Sequence, residues 1–171
     1  MGISLKHLLR SAKREMRVKG MEGELVADPI AQDILNHPDM DAIIAVIEKG
    51  LNEIGISSLQ HLSAGSSSIV FDCGDSVLRL GLGPLVGIPD IREVNQRLTG
   101  GCIEGVRWEI FPKTATEGIT ARDVEKMVRV LAEKECLFTD AGVDNLGRLK
   151  GRLVVIDPGA VVKTSCFPGR V

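Results

Sequence analysis

The stretch "TDAGVDNLGRLKGRLVVIDPG", residues 139–159, constrains the fold of this chain more than any other segment. It begins on a polar segment where four residues separate Asp140 from Asn145. Two apolar runs around Lys150-Gly151 then predict a β-hairpin, because a glycine after a polar residue suits a tight turn. The second run leads into Asp157-Pro158-Gly159, which is a turn sequence. The stretch therefore predicts a loop, a hairpin and a turn that carry three polar side chains.

The composition excludes several classes of protein. The chain has 171 residues, 44% of them hydrophobic, which is enough for a core of its own. With four Phe, one Trp and no Tyr, it offers few rings on which RNA bases could stack. A formal net charge of −2 and a pI near 5.9 also argue against a nucleic-acid partner.

The cysteines and histidines form no recognisable site. The four Cys are far apart without a C-x-x-C pair, and the three His are equally scattered, so neither a zinc site nor a disulfide framework is expected. No apolar run reaches the roughly 20 residues of a membrane span, and the amino terminus lacks the apolar core of a signal peptide. These features predict a cytoplasmic protein with reduced thiols.

The amino-terminal part of the chain is predicted to be helical. Residues 1–20 hold six Lys or Arg against one Glu, and apolar residues recur at helical spacing. This pattern predicts a basic amphipathic helix on the surface, and contact with a membrane surface or an acidic partner stays open. Residues 39–55 predict a second helix that ends at Gly55. Residues 1–56 are accordingly expected to form a helical appendage.

From residue 57 the pattern changes to short strands. Residues 57–83 predict an antiparallel meander of three strands, with Gly74-Asp75 as a hairpin turn. A short helix is expected from Asp90 to Leu98, ended by Gly100-Gly101, and a strand over residues 105–113. Residues 120–135 predict a helix capped by Thr120. Together with the hairpin, these elements predict an α+β fold.

In this order, the elements resemble the protein-kinase-like fold. "LSAGSSSIVF", residues 62–71, is similar to the kinase glycine-rich loop L-G-x-G-x-x-G-x-V-[YF], although Ser63 and Ser68 stand where glycines are usual. The resemblance implies that this loop approaches the phosphates of ATP. The residues that it implies for nucleotide contact are Gly65, Ser66, Ser67, Ser68 and Val70.

The resemblance also implies a charged pair. Arg79 stands where kinases carry the lysine that contacts the α and β phosphates, and Glu93 stands where they carry the glutamate that pairs with it. Arginine keeps the charge, but it is longer and planar and does not replace lysine freely at a fitted site. The predicted pair is therefore also the largest departure from the family pattern.

The strongest similarity to kinases lies in residues 139–159. Asp140-x-x-x-x-Asn145 has the spacing of the kinase catalytic loop H-R-D-x-x-x-x-N, and Asp157-Pro158-Gly159 stands where D-F-G is expected. The resemblance implies that Asp140 is the catalytic carboxylate and that Asn145 and Asp157 hold Mg²⁺. Phe138 and Thr139 replace the His-Arg of the common pattern.

The similarity covers roughly residues 60–162, and the chain ends fourteen residues after Asp157. The chain thus looks like a reduced kinase core over residues 57–171: an antiparallel amino-terminal-lobe sheet, an αC-type helix and a reduced carboxy-terminal lobe. Such reduction is similar to that of the small effector kinases that bacterial pathogens deliver into host cells.

Three functions are compatible with the sequence. The first is an Mg-ATP-dependent phosphotransferase that acts on a Ser or Thr hydroxyl of a protein substrate. The second is a pseudokinase that binds a nucleotide or a protein partner without phosphoryl transfer. Arg79 and the loss of glycines favour this second function, whereas the presence of Asp140, Asn145 and Asp157 together favours the first. The third is an α+β interaction protein whose similarity to kinases is accidental.

Overall fold

A computed structural model describes residues 4–15, 20, 23–64 and 68–166 of the chain. It is a mixed α/β structure with antiparallel strand pairs, and its described part contains four α-helices. The chain divides into two compact units. The first consists of Met1–Leu85 and Leu98–Ile110, and the second of Val86–Arg97 and Phe111–Val171.

Three helices and a two-stranded ladder form the amino-terminal part of the first unit. One of these helices was not predicted, although its sequence signal is clear: the carboxylate of Asp28 accepts hydrogen bonds from the N–H groups of Ile30 and Ala31. Pro29 then occupies the first helical position, where no N–H is needed. The elements are α1 (Leu5–Ser11), β1 (Lys13–Glu15), β2 (Leu25–Ala27), α2 (Pro29–Leu35) and α3 (Met40–Glu53).

The prediction of one helix over residues 1–20 is wrong. Helix α1 ends at Ser11, Ala12 is extended, and β1 pairs antiparallel with β2. Arg14 on β1 donates from Nε to a carboxylate oxygen of the fully buried Asp28 at 3.1 Å. The contact of Arg14 with Asp28 and the pairing with β2 therefore override the helical preference of the local sequence. Helix α3, by contrast, confirms the helix predicted over residues 39–55, and Gly55 follows it with a φ of 81°.

A five-stranded sheet completes the first unit. Its strands are β3 (Gln60–Ala64), β4 (Ser68–Asp72), β5 (Ser76–Leu82), β6 (Thr99–Ile103) and β7 (Val106–Pro112), in the order β3-β4-β5-β7-β6. The predicted meander is confirmed, because β4 pairs antiparallel with both β3 and β5. At its predicted turn, the Asp72 carboxylate accepts a hydrogen bond from the N–H of Gly74 at 2.8 Å.

The only tryptophan of the chain, Trp108, packs in the core of this unit. A Cβ placed on Gly50 of α3 would lie 2.4 Å from the indole Cη2, and one placed on Gly101 of β6 would lie 2.9 Å from the indole Nε1. Both distances are far below van der Waals contact. The indole therefore requires glycine on the helix and on the neighbouring strand.

Helices and sheet share one hydrophobic core. Ile34 of α2 and Ile47 of α3 are fully buried in the same cluster as Phe71 and Leu78 of the sheet. Residues 1–56 are thus part of the first unit together with β3–β7, and the expected border at residue 56 does not separate the two compact units. That residues 57–171 form a kinase-like domain stays a prediction.

The second unit contains α4 (Ala121–Glu133), which confirms the helix predicted over residues 120–135. The hydroxyl of Thr120 accepts from the N–H of Asp123 at 3.3 Å, and the Asp123 carboxylate accepts from the N–H of Thr120 at 2.9 Å. The Thr120 N–H lowers the pKa of Asp123, and the nearby charge of Arg148 adds to this effect.

Two strand pairs of the second unit are nested along the chain. The inner pair, β9 (Leu146–Leu149) and β10 (Arg152–Val155), is the predicted hairpin, with Lys150 and Gly151 at positive φ in its turn. The outer pair, β8 (Cys136–Phe138) and β11 (Val161–Lys163), is antiparallel and was not predicted.

The predicted helix from Asp90 to Leu98 is wrong, because these residues, all of them described, are not helical. Val94 forms a parallel bridge with Val155 of β10. The side-chain amide of Gln96 satisfies backbone carbonyls that a helix would have used itself. Its Nε2 lies within hydrogen-bonding distance of the carbonyl oxygens of Pro89, Ile91 and Val94. Gly100 and Gly101, expected to end the helix, lie in β6.

The described helices are short. The longest of them, α3, has 14 residues, and none combines the length and the apolarity that a bilayer crossing requires.

Candidate functional site

The nested strands of the second unit bring the predicted catalytic residues together. Thr139 follows β8 and donates both its N–H and its hydroxyl to the carbonyl oxygen of Ala160, at 2.7 and 3.0 Å. Asp140 comes next and is exposed. The side-chain Nδ2 of Asn145 lies 2.7 Å from the carbonyl oxygen of Asp140 and 3.0 Å from its Oδ2. Asp140 and Asn145 therefore share one hydrogen-bonded loop.

Asp157 joins this loop through the backbone. The N–H of Ile156 donates to the carbonyl oxygen of Asn145 at 2.8 Å, one step beyond the last residue pair of the β9–β10 hairpin. The Oδ1 of Asp157 accepts from the N–H of Gly159 at 3.0 Å, which closes the Asp-Pro-Gly turn. Asp140, Asn145 and Asp157 thus gather at the open end of one hairpin, and we call them the acidic loop cluster.

The residues predicted to contact phosphates lie in the first unit. Gly65, Ser66 and Ser67 are outside the described residues, so their predicted role stays a prediction. Ser68 is buried on β4. Val70 of β4 lies directly opposite Arg79 of β5 in the sheet register.

Glu93 has a partner that the sequence did not indicate. Lys134 Nζ donates to both of its carboxylate oxygens, at 2.7 Å to Oε2. Lys134 is the residue that caps the carboxyl end of α4, where a positive charge is favourable. The sequence indicates that Lys134 lies at the end of a helix. It does not indicate the contact with Glu93, because the two residues are 41 positions apart. The predicted pairing of Glu93 with Arg79 stays a prediction.

The acidic loop cluster has the donor atoms that Mg²⁺ prefers. Mg²⁺ is bound in proteins by one or two carboxylates together with substrate phosphates and water. With its amide nitrogen bonded to Asp140, Asn145 has its side-chain oxygen left as a ligand atom, and Asp157 supplies a carboxylate. Among the described residues, no group of three or more His, Cys, Asp or Glu could hold a metal by itself. Asn145 and Asp157 together offer one amide oxygen and one carboxylate, which are ligand types that Mg²⁺ accepts.

A cavity of about 370 Å³ lies beside the Asp-Pro-Gly turn in the second unit. Its walls are mainly apolar, and the turn contributes Gly159. The other lining residues are Val86, Gly87, Ile88, Pro89, Val161, Val162 and Lys163.

Comparison with known proteins gives limited similarity. No protein-family model matches the chain, and no curated protein matches it. Among solved structures, a co-crystal structure of WbdD with the kinase inhibitor LY294002 is 15% identical over 65% of this chain, with a TM-score of 0.45. A 2.2 Å crystal structure of WbdD is 15% identical over 66% of this chain, with a TM-score of 0.46. The chain spans about a third of the WbdD chain, 34% in both cases.

Proposed function

We propose that this protein is an Mg-ATP-dependent phosphotransferase with a kinase-like fold that phosphorylates a Ser or Thr hydroxyl of a protein substrate. The observation that carries the proposal is the acidic loop cluster: Asp140, Asn145 and Asp157 lie at one end of a single hairpin, linked through Asn145. Phosphoryl transfer needs little more from a protein than a carboxylate near the attacking hydroxyl and oxygen ligands that fix the metal against the phosphates.

In this mechanism, Asp140 accepts the proton of the attacking hydroxyl. The hydroxyl oxygen forms a bond to the γ-phosphorus of ATP, the bond from that phosphorus to the bridging oxygen breaks, and ADP leaves. The Nδ2 of Asn145 holds the Asp140 carboxylate in place, and the exposure of Asp140 leaves it accessible to a protein surface. When bound, Mg²⁺ neutralises charge on the phosphate oxygens, and Asn145 and Asp157 are the residues that would hold it.

The decisive experiment compares two aspartates of the same loop. Asp140→Asn removes the base but keeps an oxygen that can accept from Asn145, so the loop should stay folded. Asp144→Asn is the matched control, because Asp144 is also exposed and stands one residue before Asn145. With labelled ATP, Mg²⁺ and a cell lysate as source of substrate, Asp140→Asn should lower transfer by about 100-fold or more. Asp144→Asn should transfer at the wild-type rate.

Binding must be measured in the same samples. Asp140 does not hold the nucleotide in this proposal, so Asp140→Asn should keep an ATP-induced, Mg²⁺-dependent rise of the melting temperature. Asp157→Asn should remove that rise. An ATP effect that is indifferent to both Mg²⁺ and Asp157 would contradict the metal assignment.

The second candidate is a pseudokinase that binds a nucleotide or a partner without transfer. Arg79 in place of the lysine that kinases carry favours it, because arginine does not replace lysine freely at a fitted site. A wild-type protein that binds ATP but phosphorylates no lysate protein, itself or water would support this candidate over the first.

A further inference from the structure

Glu93 connects helix α4 with strand β10 in the second unit. Its side chain bonds Lys134 at the end of α4, and its backbone bonds Val155 of β10. Its side chain is only 11% exposed, and Lys134 donates to both of its carboxylate oxygens. A carboxylate so far from water needs such a partner, since an unpaired buried charge is costly. Lys134 itself is held in place, because its N–H donates to the carbonyl oxygens of Leu131 and Ala132 at the end of α4.

The backbone around Glu93 binds β10 from one side. The N–H of Val155 donates to the carbonyl oxygen of Glu93 at 2.7 Å, and the N–H of Asn95 donates to the carbonyl oxygen of Val155 at 2.9 Å. The side-chain Nδ2 of Asn95 donates to the carbonyl oxygen of Pro112 at 3.0 Å, which fixes the other side of the segment. Glu93 and Asn95 therefore hold Val155 of β10 in place through two backbone hydrogen bonds.

That residue, Val155, stands immediately before the cluster. The next residue, Ile156, donates its N–H to the carbonyl oxygen of Asn145, and Asp157 follows. A continuous series of bonds thus leads from the end of α4 through Glu93 and β10 to Asp157. Any displacement of Val155 along the strand direction would move Asp157 relative to Asn145.

We propose that Glu93 and Lys134 are positioning residues, whose ion pair fixes the place of β10 and through it the distance between the Asp157 carboxylate and the Asn145 amide. The purpose of this arrangement rests on the proposed function, in which Asn145 and Asp157 share one metal ion. The positioning itself can be tested without any ligand. In this role Glu93 touches neither nucleotide nor metal.

The test uses Glu93→Gln in the full-length chain, with two measurements. Amide hydrogen exchange of Val155 and Asn95 should become about tenfold faster or more, because the pair that holds their hydrogen bonds closed is lost. The Mg²⁺ concentration that gives half of the ATP-induced melting shift should rise by about tenfold or more, because a displaced β10 would move the Asp157 carboxylate away from Asn145. Lys134→Met should give the same two results.

Two further variants separate positioning from general stability. Arg148→Met removes the 3.5 Å ion pair between Arg148 and Asp123 of α4 and leaves the bonds of Glu93 untouched. It should leave the exchange of Val155 and the Mg²⁺ requirement unchanged, even if the melting temperature falls. The double variant Glu93→Lys with Lys134→Glu, which restores the pair with reversed charges, should recover slow exchange.

The proposal is overturned if Glu93→Gln lowers the melting temperature but exchange at Val155 and Asn95 stays at the wild-type rate. It is also overturned if Arg148→Met accelerates that exchange as much as Glu93→Gln does. A wild-type protein without an Mg²⁺-dependent ATP shift would refute the proposed function instead, and the exchange rates would still decide the role of the ion pair.

Discussion

Gly147 of β9 lies where the hairpin meets the segment that follows β7. In that segment, Ala115 exchanges two backbone hydrogen bonds with Arg148, of 2.9 and 2.8 Å. A Cβ on Gly147 would lie 2.6 Å from the Oγ1 and 2.8 Å from the Cβ of Thr114, and 3.3 Å from the carbonyl oxygen of Ala115. Any larger residue at this position must therefore separate the segment from the hairpin.

The cost of Gly147→Ala follows from these distances. Ordinary contact begins at 3.4 Å, so the segment must move by about 0.8 Å. A shift of that size along the bond direction would stretch both Ala115–Arg148 hydrogen bonds beyond bonding distance, and each contributes about 0.5–1.5 kcal/mol. The lower entropy of an unfolded chain with alanine offsets about 0.4–1 kcal/mol. We expect Gly147→Ala to lower the free energy of unfolding by about 1–2 kcal/mol.

Gly142→Ala is the matched control in the same region. Gly142 has an extended backbone with a φ of −165°, and a Cβ there would meet no atom within 4 Å. This variant should therefore raise the free energy of unfolding by about 0.4–1 kcal/mol through the unfolded state alone. Urea denaturation followed by far-ultraviolet circular dichroism measures the free energy of unfolding of both variants. Equal effects of the two substitutions, or a Gly147→Ala protein as stable as the wild type, would refute the close packing at Gly147.

Two further predictions concern the first unit. Gly50→Ala should lower the free energy of unfolding by about 1–2 kcal/mol, because overpacking against Trp108 outweighs the better helix propensity of alanine. In a Trp108→Leu background the same substitution should be neutral or stabilising, and a loss that persists there would contradict the contact. Burial raises the pKa of Cys73 from 9.0 to about 11. The pKa of Cys73 is higher in the folded than in the unfolded protein. The stability that comes from burying the neutral thiol is therefore complete below about pH 9 and is lost as the pH rises towards 11. Cys73→Ala should reduce the alkaline loss of unfolding free energy by about 1 kcal/mol, a value discounted for partial exposure. If the unfolding free energies of wild type and Cys73→Ala fall in the same way between pH 9 and 11, this prediction is wrong.

Elements with local signals could be predicted from the sequence. Thr120 and Asp123 form a capping box within one turn, and Gly74-Asp75 and Lys150-Gly151 define hairpin turns within a few residues. In each case the residues that determine the element lie inside it. The Asp28-Pro29 start of α2 carries an equally local signal, and it was overlooked.

Elements that depend on distant partners could not be predicted. Residues 90–98 have the composition of a helix, but Val94 pairs with Val155, 61 positions later. Residues 13–15 continue the helical spacing of α1, yet they pair with β2. For the site, the resemblance to kinases implied that Asp140, Asn145 and Asp157 lie together. The contact of Glu93 with Lys134 joins residues 41 positions apart, and no local pattern indicates it.

The nested pairing of β8 with β11 around the β9–β10 hairpin has a consequence for folding kinetics. All members of the acidic loop cluster lie between Cys136 and Lys163, inside two antiparallel pairings of short sequence separation. Closing such loops costs little chain entropy, and hairpins form within about 1–10 μs. The polar residues of this cluster can therefore meet at an early stage of folding, at a rate set by local loop closure and independent of the slower assembly of the five-stranded sheet.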